Sequence, residues 1–233
     1  MNHDHYDALE VREPAVREAA LMAALPAQIA HAQRHARALG ALLSGIDAAA
    51  ISSRAALATL PVLRKHELLE RQQAARANRE PGDPFGGFAT IGWRALGAPR
   101  RAQRVYQSPG PIYEPEGTAS DYWRLARAMH AAGLRAGDLA HNCFSYHLTP
   151  GGLMMESGAM ALGCSVFPGG VGNTELQLQA IADLRPQAHI GTPSFLLTLL
   201  EKAREGGTPL ALEVAFVIAE MLPESLRAEI ERF

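Results

Sequence analysis

From residue 14 to residue 78 the apolar positions recur at helical spacing among Ala, Leu, Arg and Gln, with no β-branched run. Pro14 suits a first helical turn, Gly40 and Gly45 suit helix ends, and Pro61 punctuates before LRKHELLERQQAARA. Residues 81–99, PGDPFGGFATIGWRALGAP, are dense in Gly and Pro and predict turns around a short strand, FATIGW. From residue 119 the period changes. Tyr122, Leu125, Ala126 and Met129 share one helical face, and Gly133 can close that helix. The pattern then predicts a strand at DLAHNCF, a helix from Gly151 to Leu162, and a strand at CSVF. It continues with a helix from Thr174 to Leu184, the strand AHIG, a helix from Pro193 to Glu205, the strand EVAFVI and a helix from Glu224. Thr174 with Gln177 has the form of a capping box. Strands alternating with helices at this spacing predict an α/β fold, with a mostly parallel sheet covered by helices and a helical N-terminal region. The expected division is a helical part over 1–80 and an α/β part over 81–233.

Composition narrows the classes of function. The 233 residues are 48% apolar and 20% charged, an ordinary soluble balance. A net charge of −2 gives no global attraction to nucleic acid or to an anionic membrane. No apolar run approaches the roughly 20 residues that span a bilayer. The first residues, MNHDHYDALEVREP, have no signal-peptide pattern. Cys143 and Cys164 lie outside any C-x-x-C spacing and read as buried thiols of a reducing compartment, so the expected location is cytoplasmic. Lys65 and Lys202 are the only lysines, both on charged faces of predicted helices.

Three stretches carry candidate chemistry. YQSPGPIYEPEG, Tyr106 to Gly117, is framed as a binding loop between Arg104-Val105 and a helix signal. Yet Pro109, Pro111 and Pro115 offer no N–H, and Glu114 and Glu116 bring negative charge. PGGVGNT, Pro168 to Thr174, lies between a strand and a helix, so it reads either as a tight turn or as an anion site. It lacks the Lys of a P-loop, and Glu175 stands where a dinucleotide fingerprint has its third Gly. HNCFSYHLTPGG ends a strand and enters a helix, and ligands of open α/β sheets sit outside such strand ends. Phe144, Tyr146 and His147 there supply an aromatic wall and a group that titrates near neutrality; aromatic packing is the alternative. His31 and His35 share a helix face, and His3 and His5 lie near the terminus, but neither pair has an evident third ligand, so no metal site is expected. No Ser elbow and no distinctive carboxylate pair is present, and no catalytic residue is identified.

The order of segments YDALEVREPAVREAAL, LPVLRKHELL, PFGGFA, HNCFSYHLTPGG, FPGGVGNTELQ, GTPSFLLTLLEKA and AEMLPESLR resembles the phenylacetate–coenzyme A ligase branch of the adenylate-forming enzymes, from about residue 6 to residue 233. The resemblance implies a two-step chemistry: a carboxylate attacks the α-phosphate of ATP, with Mg²⁺, and coenzyme A then displaces AMP. Against the family's phosphate loop, SSGTTGKP, the chain keeps Ser108, Gly110 and Pro115. The second Gly becomes Tyr113, the Lys becomes Glu114, and hydroxyl positions become Pro109, Pro111 and Ile112. Exchanging a contacting Lys for Glu costs a phosphate several kcal/mol at an effective dielectric near ~20. The expectation is a degenerate phosphate loop that does not cradle ATP in the family manner.

Other segments match the family more closely. The resemblance places Phe144, Tyr146, His147, Gly151 and Gly152, with the turn Gly191-Thr192-Pro193, at the carboxylate substrate. Ala219 and Glu220 fall near the adenine, although Ile218 and Met221 replace the family's flanking Gly and Pro. The family's downstream ribose-binding Asp and catalytic Lys are not among these residues, so adenylation by the chain alone is not expected. The alternative is a non-catalytic module that binds an aromatic acid or a protein partner; whether the chain is an enzyme stays open. A dinucleotide-dependent oxidoreductase lacks its fingerprint. The expected partner is a small aryl or acyl carboxylic acid, with no nucleic acid and no membrane; a homodimer stays open.

Overall fold

A computed structural model describes residues 5–78, 83–94, 100–208 and 210–233. Its contacts group into two compact units, one within residues 7–118 and one within residues 119–233 together with residues 5 and 6.

The unit of residues 7–118 opens with α1 (Pro14–His35), which has Pro at its first turn as expected. Then come α2 (Arg37–Leu42), a 3-10 turn (Ala48–Ala50), α3 (Arg54–Leu57) and α4 (Lys65–Ala77). Ile29, Leu43 and Ile51 form the small core that α1 shares with the following turns. Gly40 does not end a helix. It lies within α2, where a Cβ would sit 2.6 Å from the Gln33 carbonyl oxygen, so the close approach of α2 to α1 demands a glycine there. Gly45, with φ +79°, does follow a helix end. The expected strand FATIGW reduces to one isolated bridge from Gly92 to Arg101. The remaining Gly/Pro-rich positions 79–82 and 95–99 fall outside the described residues.

The expected loop at Tyr106 to Gly117 is instead a β-hairpin. Strands β1 (Arg104–Ser108) and β2 (Ile112–Glu116) pair antiparallel from Arg104↔Glu116 to Ser108↔Ile112. Only Pro109, Gly110 and Pro111 turn between them, so these two prolines sit where no ladder donor is required, whereas Pro115 lies within β2 opposite Val105.

The second unit holds the parallel sheet and its helices. It comprises α5 (Ala126–Ala132), β3 (Leu139–Asn142), α6 (Gly151–Leu162), β4 (Ser165–Pro168) and α7 (Thr174–Leu184). It ends with β5 (Ala188–Gly191), α8 (Pro193–Glu205), β6 (Val214–Val217) and α9 (Glu224–Ile230). The four strands are parallel in the order β4-β3-β5-β6. α5 begins later than its pattern suggests, because Asp121 accepts from the backbone N–H groups of Leu125 (2.8 Å) and Ala126 (3.2 Å) and fixes the start there. Gly133 (φ +115°) closes it as predicted. The capping box at Thr174 does not form. Asn173 is the N-cap residue, and the Gln177 side chain turns inward instead, donating to the carbonyls of Gly170 and Gly172. Tyr6 belongs to this unit, its ring edge-on to His130 and beneath the Arg127 guanidinium.

One sheet face packs Met129, Met155 and Ala159 of α5 and α6 against Ala140, Ala188 and Ile190. The opposite face packs Ile181 of α7 and Leu199 of α8 around Cys143. Alternation along each strand sends neighbouring residues to opposite faces, which explains why Ile190 and His189 are both buried yet meet different helices.

Candidate functional site

The chain leaves β3 through α6 toward β4 on one side, and leaves β5 through α8 toward β6 on the other. Adjacent strands whose connections diverge open a crevice beyond their carboxyl ends, the customary ligand position of such sheets. The loop from Cys143 to Pro150 and the start of α6 border this crevice from β3, and Gly191-Thr192-Pro193 borders it from β5. Phe144, Tyr146, His147, Gly151, Gly152, Gly191, Thr192 and Pro193 therefore flank one sheet edge, although they are far apart in sequence.

The loop is held by Asn142, which is fully buried at the end of β3. Its Nδ2 donates to the Tyr146 hydroxyl and to the Gly152 carbonyl, both at 2.8 Å, and its Oδ1 accepts from the Phe144 N–H at 3.2 Å. Gly152 N–H donates to the Ser145 carbonyl at 2.8 Å. A Cβ on Gly152 would stand 2.7 Å from that oxygen and 2.8 Å from the Tyr146 ring, so this position admits only glycine without a shift of the loop. Burial pushes the Tyr146 phenol upward, reinforced by Glu156, so it stays protonated at neutral pH. Phe144 and Tyr146 are half-buried, whereas His147 is exposed at the tip beside Leu148. Asn142, the organiser of this loop, was not singled out by sequence; the alternation in LAHNCF was the available signal.

At β5, Thr192 caps α8 by accepting from the Phe195 N–H at 3.3 Å. Ile218 N–H donates to the Gly191 carbonyl at 3.1 Å, and Glu220 Oε2 accepts from the Ser194 N–H at 3.3 Å. Ala219 and Glu220 are thus brought beside the Gly191-Thr192-Pro193 turn. Ala219 holds φ +77°, a left-handed backbone that an alanine adopts at a cost. PGGVGNT connects β4 to α7, with Gly170 N–H donating to the Asn142 carbonyl at 3.0 Å.

Ser108, Gly110 and Glu114 lie in the other unit, on the β1–β2 hairpin. The hairpin's polar groups are engaged locally. Tyr113 N–H donates to Gln72 Oε1 at 2.9 Å and Gln72 Nε2 donates to the Tyr113 carbonyl at 3.0 Å. Glu116 does not face outward as an anion-repelling charge. It is fully buried and accepts from Tyr106 Oη, from Gln103 Nε2 at 2.9 Å and from Arg104 Nη1 at 2.9 Å. Glu114 is half-buried.

A second group of polar residues is buried on the other sheet face. Cys143 Sγ lies 3.5 Å from His141 Nδ1, 3.8 Å from His189 Nδ1 and 3.3 Å from Gln177 Oε1. His189 Nε2 is buried with no hydrogen-bond partner, a state that costs about 1–3 kcal/mol. Burial lowers His141 to about 4 and His189 to about 3, and raises the Cys143 thiol to about 12. A cavity of about 890 Å³ between α8, β6 and α9, lined by Leu196, Leu200, Leu210, Leu222 and Phe233, contains none of the candidate residues. No helix among the described residues is long and apolar enough to cross a membrane.

No family model matches the chain. It is similar to the phenylacetate–coenzyme A ligase of Aromatoleum evansii, with 36% identity over 168 residues, covering 67% of this chain and 36% of that protein. The enzyme of the same name from Thermus thermophilus is 37% identical over 161 residues, 64% of this chain and 34% of that protein. In structure it resembles an open conformation of 2-hydroxyisobutyryl-CoA ligase in complex with 2-HIB-AMP and CoA, with a TM-score of 0.81 and 24% identity, covering 99% of this chain and 49% of that one. The chain thus spans about a third of the length of the curated relatives it matches and about half of that structure. By these similarities the chain belongs to the phenylacetate–coenzyme A ligase-like branch of the adenylate-forming ligases.

Proposed function

We propose that this chain supplies the acid-binding side of an acid–coenzyme A ligase-like protein, and that its hairpin does not hold ATP phosphates in the family manner. An aryl or acyl carboxylate lies in the crevice beyond β3 and β5. Phe144 and Tyr146 form its aromatic wall, His147 its exposed rim, and Gly151 and Gly152 leave room at the start of α6. Gly191, Thr192 and Pro193 close the other side, with Ala219 and Glu220 beside them toward an adenine. The observation that carries this reading is topological: the connections diverge between β3 and β5, and the segments that match the family's acid site flank that point.

ATP with Mg²⁺ supplies the family with an activated phosphorus, and coenzyme A supplies the thiol that accepts the acyl group. The hairpin residues do not fit the phosphates. Pro109 and Pro111 lack N–H groups, Tyr113 N–H is taken by Gln72, and Glu114 presents the wrong sign, leaving Ser108 and Gly110 as the residual match. Titration of the chain with phenylacetate tests the acid reading. Saturable binding that Tyr146→Ala weakens about tenfold, a loss of about 1.4 kcal/mol, is expected; no saturation at millimolar acid overturns it. Submillimolar ATP–Mg affinity that Glu114→Ala weakens would overturn the hairpin reading.

The engaged hairpin also favours a second reading, a non-catalytic module that binds the acid alone. Binding of the aromatic acid that is indifferent to ATP–Mg favours the module, whereas acid-dependent AMP formation would favour the ligase reading.

A further inference from the structure

We propose that Asn142 is the positioning residue of the acid crevice, a role that rests on the acid-binding reading of that crevice: it acts through Tyr146, anchoring the phenol inward so that the ring, and not the hydroxyl, meets the acid. The anchor starts from the sheet. Asn142 is the last residue of β3 paired on both sides, opposite Pro168 of β4 and Ile190 of β5. Its backbone carbonyl accepts from the Gly170 N–H at 3.0 Å, and the next residue, Cys143, donates its N–H to the Ile190 carbonyl at 2.7 Å. The side chain is fully buried and projects from a point that two neighbouring strands hold.

The donors of Asn142 are spent. Its amide nitrogen carries two protons, and both are used, one on the Tyr146 hydroxyl and one on the Gly152 carbonyl, each at 2.8 Å. Oδ1 accepts from the Phe144 N–H at 3.2 Å. No N–H of Asn142 is left for a ligand, so its influence on the acid passes through the groups it holds. Phe144 and Gly152 are held by their backbones; Tyr146 is the one gripped by the end of its side chain.

The phenol is fixed from three sides. Asn142 donates to its oxygen. Glu156, four residues beyond Gly152 and so on the same face of α6, hydrogen-bonds the same hydroxyl. Gly152 lies against the ring, close enough that a Cβ there would stand 2.8 Å from Cδ2 and 2.9 Å from Cγ. With the hydroxyl committed at one end, the half-buried remainder of the ring offers a ligand apolar surface. A ring held in one orientation rewards a planar group stacked on it more than a puckered group of similar size. Released from Asn142, the ring turns about its side-chain bonds on a loop whose tip, His147 and Leu148, is exposed, and ordering it again becomes a cost of binding.

The test compares phenylacetate with cyclohexylacetate, a puckered acid of similar size, by calorimetric titration of four chains: unaltered, Asn142→Leu, Tyr146→Phe and the double variant. The unaltered chain should bind phenylacetate about 3- to 10-fold more tightly than cyclohexylacetate. Asn142→Leu should weaken phenylacetate about 3- to 10-fold, the effect of one neutral hydrogen bond, and bring the two acids within about twofold of each other. Tyr146→Phe should do the same. The double variant should be no weaker than the weaker single one, because both substitutions break one link. Three results overturn the role of Asn142 while leaving the acid reading in place: no preference in the unaltered chain, equal weakening of both acids by Asn142→Leu, as a merely structural role gives, or losses that multiply in the double variant. No saturation of the unaltered chain by phenylacetate overturns both. Should Asn142→Leu fail to fold, Tyr146→Phe decides, since an unchanged preference for the planar acid would show that the hydroxyl does not aim the ring.

Discussion

Replacing Glu116 by Gln tests whether this carboxylate belongs to the scaffold or to a ligand. The substitution preserves shape and removes the charge. In the structure the carboxylate is fully buried and accepts from Tyr106, Gln103 and Arg104. Hydrogen bonds to a charged group contribute about 1.5–3 kcal/mol, against about 0.5–1.5 for neutral ones, so each loses about 1 kcal/mol. Three bonds give about 3 kcal/mol, discounted because Arg104 is 39% exposed and water can replace part of its pairing. The expected loss is about 2–3 kcal/mol. With a urea slope of about 2 kcal/mol/M, the midpoint of the unfolding transition that reports residues 7–118 should fall by roughly 1 M. Affinity for ATP–Mg should not change. A loss below about 0.5 kcal/mol, the size of an ordinary surface substitution, would refute the scaffold role. It would return Glu116 to the surface that meets ligands.

Gly152→Ala forces a Cβ against Ser145 and Tyr146, so it should cost about 1–3 kcal/mol in urea unfolding and weaken phenylacetate binding by about tenfold or more. The pH dependence of stability has a definite sign. His141 and His189 stay neutral in the native chain down to about 4 and about 3, while in the unfolded chain each gains a proton below about 6.5. Stability is therefore full above about pH 6.5 and falls toward pH 4, by roughly 3–4 kcal/mol between pH 7 and pH 5. Unfolding midpoints that coincide at the two pH values would contradict the burial of both rings. Glu114→Lys should raise ATP–Mg affinity by no more than about tenfold, because Tyr113 N–H stays paired to Gln72 and both turn prolines remain; micromolar binding by that variant would show that charge alone had blocked the site.

The parallel sheet was legible because its signals are local. α6, α7, α8 and β5 have the bounds that their apolar period and flanking residues predict, since Gly163, Thr192 and Pro193 act within one turn of the chain. The errors share another cause. Asp121 moved the start of α5, and Gln177 left its helix cap, because each side chain found a partner that the sequence window did not rank. YQSPGPIYEPEG looked like a loop because proline and glycine counts describe a turn but not its flanks. The strands on either side are fixed by Glu116 beneath them and by Gln72 from α4, 41 residues away from Tyr113.

The candidate site divides along the same line. The segments proposed to hold the acid could be marked from sequence, because strand ends collect ligands whichever residues occupy them. The histidine–cysteine group could not, since its residues lie on strands that become neighbours only when α6, β4 and α7 have been threaded between them. His141 and Cys143 alone read as ordinary buried positions of an alternating strand, and His189 as one polar residue in AHIG. Register makes them a group, and Gly169 and Gly191 keep the space that register creates. Substituting either glycine by Ala should therefore disturb the group without touching a donor atom. A Gly191→Ala chain with an unchanged midpoint in urea unfolding would show that the imidazole of His189 does not lie against this glycine.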